Sequence, residues 1–87
     1  MSVKFTELVL KIVAQIRVGQ TMTYGQVAAL AGNPKAAREV GMIMSKNWDV
    51  KIPCHRVVRA DGSAGGYNRG REQKIKLLSQ ERFLAKY

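Results

Sequence analysis

The chain has 87 residues, with 15 lysines and arginines against six aspartates and glutamates, so its formal net charge is +9. This length supports one small core, so we predict a single domain over residues 1–87, with no second domain to hold a cofactor. The single cysteine, Cys54, and the single histidine, His55, exclude an internal disulfide and are too few for the three or four protein ligands of a zinc site. We therefore expect no cofactor and no metal.

Charge and apolar pattern also restrict the partners and the compartment. No stretch approaches the roughly 18 apolar residues of a membrane span, and Glu7 and Lys11 interrupt the first apolar run, unlike in a signal peptide. We expect a cytoplasmic monomer that does not bind membranes, with Cys54 reduced. The positive charge favours a polyanionic partner, most commonly nucleic acid, although the same charge can serve solubility alone.

The first predicted element is a helix over residues 5–18, which ends before Gly19. Glu7 stands four residues before Lys11 on its polar side. Its apolar residues recur at helical spacing and indicate packing into the core: Phe5, Leu8, Val9, Ile12, Val13 and Ile16.

A helix-turn-helix is predicted over about residues 23–46. Thr23 and Gln26 have the spacing of a capping box at the start of a second helix, and Gly32 ends that helix. Asn33 as N-cap and Pro34 as first helical residue predict a third helix that runs toward residue 47. Two short helices joined by a tight turn also occur in plain bundles, and the basic charge favours the DNA-binding interpretation.

After the third helix, the pattern predicts less regular structure. Residues 52–59 predict a short extended segment that carries Cys54, and the Asp61-Gly62 pair predicts a turn. A basic, glycine-rich loop follows, and a last helix begins at Arg71. The predicted core-facing side of that helix holds Ile75, Leu78 and Arg82 or Leu84, with Leu77 beside them. The predicted fold is mainly α: a small helical bundle with a winged-helix-like helix-turn-helix and a short extended or hairpin segment.

Cys54 is a candidate nucleophile because His55 and Arg56 follow it directly. A thiol attacks as the thiolate, which needs a base or a positive charge nearby. In an extended segment neighbouring side chains point to opposite sides, so His55 needs a bend after Pro53, or a bridging water, to act on Cys54. Local chemistry leaves open a reactive cysteine or an inert buried thiol beside a structural imidazole.

Four motifs occur in order: YGQVA at 24–28, GNPKAAR at 32–38, PCHRV at 53–57 and Gly66-Tyr67. With them the chain, from about Phe5 to Glu81, resembles the DNA-binding and active-site domain of the O6-alkylguanine-DNA alkyltransferases, the methylated-DNA–protein-cysteine methyltransferases. The resemblance implies DNA repair by direct transfer of an alkyl group from O6-alkylguanine to Cys54. It implies minor-groove binding to double-stranded DNA and rotation of the damaged base out of the duplex. Because the product is a thioether, each molecule acts once.

The resemblance assigns a role to five side chains. Cys54 is the alkyl acceptor, His55 takes its proton through a water, and Glu81 orients His55, which is the usual order of orienter, base and nucleophile. Tyr24 assists base rotation and protonation of the leaving guanine. Arg38 enters the base stack at the place that the rotated base leaves.

Further residues are implied to contact DNA or the guanine. At the start of the third helix, the DNA contacts are Pro34 and the small residues Ala36 and Ala37, which permit close approach to the narrow minor groove. The guanine pocket and the active-site turn are implied to involve Asn47, the backbone near Val57, Tyr67 and Asn68.

Several features depart from the family pattern. Glu39 stands where a small residue is common, and Arg69 replaces a small or aromatic residue. The segment before Cys54 is about one residue shorter, with Trp48 in place of a proline. None of the 87 residues is expected to correspond to the additional N-terminal domain that is usual in the family. These departures leave open an alkyltransferase-like protein that binds alkylguanine without transfer and recruits other repair factors. Such proteins generally carry tryptophan where this chain has Cys54. A plain DNA-binding module with a structural thiol is the third possibility.

Overall fold

The computed structural model describes residues 3–49, 51–61, 63, 65 and 69–85. The described part of the chain is mainly helical, as predicted. In chain order its elements are α1 (Val3–Ala14), β1 (Met22–Thr23), α2 (Tyr24–Leu30), α3 (Ala37–Lys46), a 3-10 turn (Cys54–Arg56), β2 (Val57–Val58) and α4 (Arg71–Ala85).

The first helix is shorter at its end than the predicted 5–18. The N–H groups of Gln15 and Ile16 bond three residues back, to the carbonyls of Ile12 and Val13, each at 3.1 Å. This tightening closes the helix before the chain turns toward β1. Ile16 remains buried as predicted, whereas Leu8, predicted to be in the core, is 38% exposed.

The start of α2 has the predicted capping box. The N–H of Gln26 donates to Thr23 Oγ1 at 3.0 Å, and the N–H of Thr23 donates to Gln26 Oε1 at 2.9 Å. Gly32, with φ of +97°, follows the helix in the left-handed conformation that glycine adopts without strain. Thr23 therefore joins β1 to α2 without a linker.

The predicted start of α3 at Asn33 and Pro34 is wrong, because the helix begins at Ala37. Asn33 Oδ1 accepts a hydrogen bond from the N–H of Lys35 at 3.3 Å, and the Asn33 carbonyl accepts one from Ala36 at 3.0 Å. An asparagine side chain that closes a turn two residues on competes with helix capping. Residues 33–36 therefore form the turn between α2 and α3.

The core lies between α1, α2 and α3, and the 3-10 turn and β2 close one side of it. α2 and α3 make the closest packing, as a helix-turn-helix does. The buried members of the core cluster are Val9, Val13, Ile16, Val27, Ala28, Ala31, Ala36, Val40, Met44, Cys54 and Val57. Cys54 is thus part of the same apolar cluster as the helices.

The segment predicted as extended from 52 to 59 is extended only at β2. The 3-10 turn holds Cys54, and β2 then pairs in parallel with β1, with Met22 opposite Val57 and Thr23 opposite Val58. This pairing places the first residue of α2, Tyr24, beside the Cys54 segment. After β2, a hydrogen bond of 3.0 Å from the N–H of Arg59 to the Ser63 carbonyl closes a turn.

α4 begins at Arg71 as predicted, but it faces the domain differently from the prediction. Ile75 is 44% exposed, whereas Lys74 is completely buried. Lys74 and Glu81 are two helical turns apart and share a face, and this polar face contacts the 3-10 turn. The predicted Leu78 and Leu77 are half-buried. The side chains of Arg82 and Leu84 lie outside the described residues.

Candidate active site

Cys54 begins the 3-10 turn and is 3% exposed. Pro53, with φ of −78° and ψ of 66°, turns the chain so that the N–H of Arg56 donates to the Pro53 carbonyl at 2.9 Å. The N–H of Cys54 donates to the Ile52 carbonyl at 2.8 Å. The bend that the sequence required after Pro53 is therefore present, and His55 follows Cys54 on a turn rather than on a straight strand.

His55 and Glu81 meet although 26 residues separate them in sequence. His55 Nε2 lies 2.9 Å from Glu81 Oε2, and the two side chains are 12% and 14% exposed. A neutral imidazole that donates from Nε2 to a carboxylate carries its acceptor lone pair on Nδ1. The structure thus brings together the pair that the resemblance predicted.

Arg56 is the third member of this cluster, and its contacts were not predicted. Its Nε donates to Glu81 Oε1 at 2.9 Å and its Nη2 to Glu81 Oε2 at 2.7 Å, which is a two-pronged contact. Its Nη1 donates to the Ile16 carbonyl at 2.7 Å. Arg56 therefore connects the 3-10 turn, α4 and the end of the α1 region.

The ionisation of Glu81 reflects these contacts. Burial raises the pKa of Glu81, but the hydrogen bonds and charges of Arg56 and His55 lower it more, so the pKa lies below its ordinary value. The side chain is a carboxylate at neutral pH and accepts hydrogen bonds from both neighbours.

Lys74 forms a second polar contact between α4 and the site. Its Nζ donates to the Val57 carbonyl at 2.6 Å and to Tyr24 Oη at 3.2 Å, and it lies 5.5 Å from the centre of the Tyr24 ring. Burial lowers the pKa of Lys74 to about 8, against an opposing effect of Cys54. Burial also raises the pKa of Tyr24. The sequence prediction missed Lys74 as a functional candidate, because it placed the inward face of α4 at the apolar residues Ile75 and Leu78.

Gly65 allows the loop after β2 to cross close to Tyr24. Its φ is +74°, and a Cβ at this position would lie 3.3 Å from both Tyr24 Oη and Arg59 Cγ. Glycine fits here because it accepts the left-handed conformation and leaves room for the hydroxyl. The predicted pocket residues Tyr67 and Asn68, and Gly66 of the fourth motif, lie outside the described residues.

The predicted DNA-contacting residues lie in the turn before α3 and in its first turn. Arg38 and Pro34 are exposed, Ala37 is half-buried, and Ala36 is in the core at 5% exposure. Since the Ala36 side chain is covered, this residue offers only its backbone to a partner.

Glu39, the acidic departure on α3, lines a surface groove together with Lys35 and Lys46. Both lysines are exposed. The two cations offset the local repulsion between this carboxylate and a phosphate backbone.

The segment that leads to Cys54 is shaped by side chains that bond the backbone. Asn47 Oδ1 accepts from the N–H of Asp49 at 3.2 Å, and Asp49 Oδ1 accepts from the N–H of Lys51 at 2.9 Å. Arg69 Nη2 donates to the Trp48 carbonyl at 3.0 Å, with its guanidinium 5.4 Å from the indole ring centre. Asn47 thus starts the approach to Cys54, and Arg69 links this segment to the one before α4.

Among the described residues, no group of three or more histidine, cysteine, aspartate or glutamate side chains is placed to hold a metal ion. In the same part of the chain, no helix has the length and apolar character needed to cross a membrane. The chemistry available at the described site is that of a thiol, an imidazole held by a carboxylate, a phenol and a buried amine.

Comparisons with known proteins identify the family of the chain. Residues 4–83 match the family described as 6-O-methylguanine DNA methyltransferase, DNA binding domain. The methylated-DNA–protein-cysteine methyltransferase of Mus musculus is 54% identical over an 81-residue alignment, which covers 88% of this chain and 38% of the mouse protein. The chain thus spans about two fifths of that relative's length.

Two solved structures share the fold. Mycobacterium tuberculosis OGT in complex with DNA superposes with a TM-score of 0.87 at 37% identity, covering 95% of this chain and 52% of that one. Schizosaccharomyces pombe Atl1, in complex with damaged DNA containing O6-carboxymethylguanine, has a TM-score of 0.82 at 27% identity, covering 93% of this chain and 78% of that one.

Proposed function

Because the chain belongs to the 6-O-methylguanine DNA methyltransferase family, we propose that it repairs DNA by moving an alkyl group from O6 of guanine to Cys54. The observation that carries the proposal is the cysteine of a PCHRV segment on the same tight turn as His55, with His55 held by Glu81 at 2.9 Å. This is the arrangement that activates a nucleophile through an oriented base.

In the proposed reaction Cys54 gives up its proton to His55, directly or through a water. The thiolate then forms a bond from Sγ to the alkyl carbon while the bond from that carbon to guanine O6 breaks. The electron pair of the broken bond leaves with guanine, which takes up a proton. The product is a thioether without a carbonyl for water to attack, so each molecule reacts once.

Tyr24 and Lys74 fit the protonation of the leaving guanine. Lys74 Nζ donates to the hydroxyl oxygen of Tyr24, so the proton of that hydroxyl remains available to a substrate atom. In this proposal Tyr24 is the donor at the guanine, and Lys74 orients it.

On the DNA side, the net charge of +9 holds the phosphate backbone. The exposed Arg38 on α3 takes the place of the rotated base through the minor groove. A flat guanidinium can stack between bases and bond the partner base that is left behind.

Intact mass measurement tests the transfer directly, because Cys54 is the single cysteine of the chain. After incubation with duplex DNA that contains O6-methylguanine, the protein should gain one methyl group, located on the peptide with Cys54. Cys54→Ser should bind the same DNA and gain nothing. An unmodified wild-type protein after tight binding to the lesion would reject transfer, and equal binding to undamaged duplex would leave a plain DNA-binding module.

The role of Arg38 has a test of its own. Arg38→Ala should slow transfer from duplex DNA far more than transfer from free O6-benzylguanine, because only the duplex requires base rotation. The exposed Arg71, substituted as Arg71→Ala, is the matched control. An equal loss on both substrates in Arg38→Ala would contradict a role in base rotation.

The likeness to Atl1 favours one alternative, a protein that binds the lesion without transfer. Atl1 shares the fold at a TM-score of 0.82, and its structure holds damaged DNA containing O6-carboxymethylguanine. We favour transfer because Cys54, the residue that accepts the alkyl group in the proposal, is present beside His55.

We also infer that the domain acts as a cytoplasmic monomer. The groups proposed for the reaction all come from one chain, and the chemistry requires a reduced thiol, which the cytoplasm maintains. Light scattering after gel filtration, with and without a DNA duplex, measures the number of copies. A dimer at micromolar concentration would contradict this inference.

A further inference from the structure

We propose that Arg56 is a positioning residue, which holds Glu81 in place as an ionised acceptor for His55 and thereby sets the acid limit of alkyl transfer. This inference rests on the proposed function, since it concerns the reaction of Cys54. Arg56 is not expected to touch the substrate.

The hydrogen-bond geometry is the first support. Arg56 contacts both oxygens of Glu81, at 2.9 and 2.7 Å, and the second of these oxygens also receives His55 Nε2 at 2.9 Å. With both oxygens engaged by one planar group, rotation of the carboxylate about its terminal bond breaks these contacts, apart from the half-turn that exchanges its two equivalent oxygens. The oxygen facing His55 is therefore fixed by Arg56.

The third contact of Arg56 fixes the guanidinium itself. Its Nη1 donates to the Ile16 carbonyl at 2.7 Å, in the segment after α1. Arg56 therefore fixes the position of Glu81 relative to the apolar core as well as relative to α4. A lysine has no planar fork and cannot make the three contacts at once.

The electrostatic balance is the second support. Glu81 is 14% exposed, and burial disfavours the charged form of a carboxyl group. Within the described residues, the charged and titratable groups that contact Glu81 are His55 and Arg56, both from the 3-10 turn, and the Ile16 carbonyl on the α1 side accepts from Arg56. Of these, Arg56 supplies the positive charge that contacts the carboxylate directly and permanently.

The sign of the pH effect follows. Arg56 lowers the pKa of Glu81, so in the wild type the carboxylate persists on the acid side. Without Arg56 its lowering effect is lost, so the pKa of Glu81 rises and the group takes up a proton at a higher pH. A protonated Glu81 no longer holds the Nε2–H form of His55, so the loss of transfer on acidification should begin earlier.

The experiment measures transfer from free O6-benzylguanine between about pH 3.5 and pH 9, a range that includes the ordinary pKa of a glutamate, and the free base leaves phosphate binding out. For Arg56→Gln, the pH at which the rate falls should move up by about one unit, which makes transfer about tenfold slower on the acid side and close to wild type at the alkaline end. Arg56→Lys should move it less. Arg17→Gln, which removes an exposed arginine beside Ile16, should not move it.

The double variant Arg56→Gln with Glu81→Gln tests whether Arg56 acts through Glu81. Once Glu81 is neutral, loss of Arg56 should cause no further change in the pH profile. A profile of Arg56→Gln identical to wild type, or a loss of equal size at every pH, would overturn the inference. If Arg56→Gln does not fold, by circular dichroism, the decision rests on Arg56→Lys.

Two readouts separate this inference from the proposed function. His55 is the single histidine, so nitrogen NMR reads its tautomer without overlap, and the Nδ1–H form should appear only when Arg56 is replaced. Reaction of Cys54 with iodoacetamide should show the same acid shift without guanine. If the wild type transfers no alkyl group, the proposed function fails while these measurements still accept or reject the role of Arg56.

Discussion

The helices on the two sides of the Cys54 turn are attached by different kinds of contact. α1, α2 and α3 pack through apolar side chains, with Val9, Val27 and Val40 completely buried. α4 reaches the turn through charged groups, Lys74 and Glu81, whose partners are a carbonyl, a phenol, an imidazole and a guanidinium. The apolar core thus holds Cys54 in place, while α4 supplies charged groups around the turn.

The largest expected effect is on the apolar side. Met44, at 5% exposure, belongs to the core, and Met44→Ala should lower the free energy of unfolding by about 2–5 kcal/mol in urea titrations. Met42 on the same helix is 52% exposed, and Met42→Ala should change it by less than about 0.5 kcal/mol. At temperatures where it is folded, Met44→Ala should transfer alkyl groups at a rate close to wild type. A large loss of the transfer rate in folded Met44→Ala would contradict the separate roles of the core and of α4.

The next effect concerns Lys74 and is read from pH dependence. Its pKa is lowered to about 8 from 10.5, so between these values the unfolded chain binds a proton that the folded chain has released. Stability relative to Lys74→Met should therefore rise as pH increases from about 8 to about 10.5. Unfolding in urea at both ends of this window measures the difference. The control is Lys76→Met, which replaces an exposed neighbour of Lys74 on α4. The stability difference between wild type and this variant should not change across the same pH window.

Glu81 should show a slope of the same sign, but in the acid range. Its pKa lies below its ordinary value of 4.5, so its contribution to stability is present above that value and is lost as pH falls through the folded pKa. The stability advantage of wild type over Glu81→Gln should shrink on acidification, as measured by thermal unfolding. Glu72→Gln, on an exposed residue of the same helix, is the control. An advantage that is independent of pH would mean that Glu81 stabilises the protein through packing alone.

The smallest effect is expected outside both regions, at Arg69 and Trp48. Their contact is at the surface, with Trp48 61% exposed, so Arg69→Gln should lower stability by no more than about 1 kcal/mol. The protein has one tryptophan, so its fluorescence should report the change without other signals. An unchanged emission spectrum in Arg69→Gln would show that the ring contact does not persist in solution.

The difference between the two regions also explains what the sequence could predict. The capping box joins Thr23 and Gln26, which are close in the sequence, so their spacing was enough to predict it. The pairing of His55 with Glu81 was predicted only through the family resemblance, because no periodicity connects residues 26 positions apart. The contacts of Lys74 and Arg56 depend on how α4 packs against the rest of the domain, and no local sequence pattern predicts that packing.

Two of the local predictions that failed show which competing interaction decided the structure. Asn33 has the right composition for an N-cap, but its side chain makes a turn with Lys35 instead. Ile75 has the right polarity for a core position, but the neighbouring Lys74 finds buried acceptors, and the helix presents that side. In both cases a hydrogen bond available to a polar side chain, Asn33 or Lys74, decided the local structure against the average preference of the residue types.

The parallel pair of β1 and β2 has a consequence for engineering the domain. The two residue pairs of this ladder place Tyr24, which directly follows β1, beside the segment that carries Cys54. One residue inserted in either strand would move the alignment by about 3.3 Å, more than the length of a hydrogen bond. The exposed turn at residues 59–61 lies outside this ladder. Tags, linkers or permuted termini therefore belong in that turn, where added length leaves the distance between the phenol and the thiol unchanged.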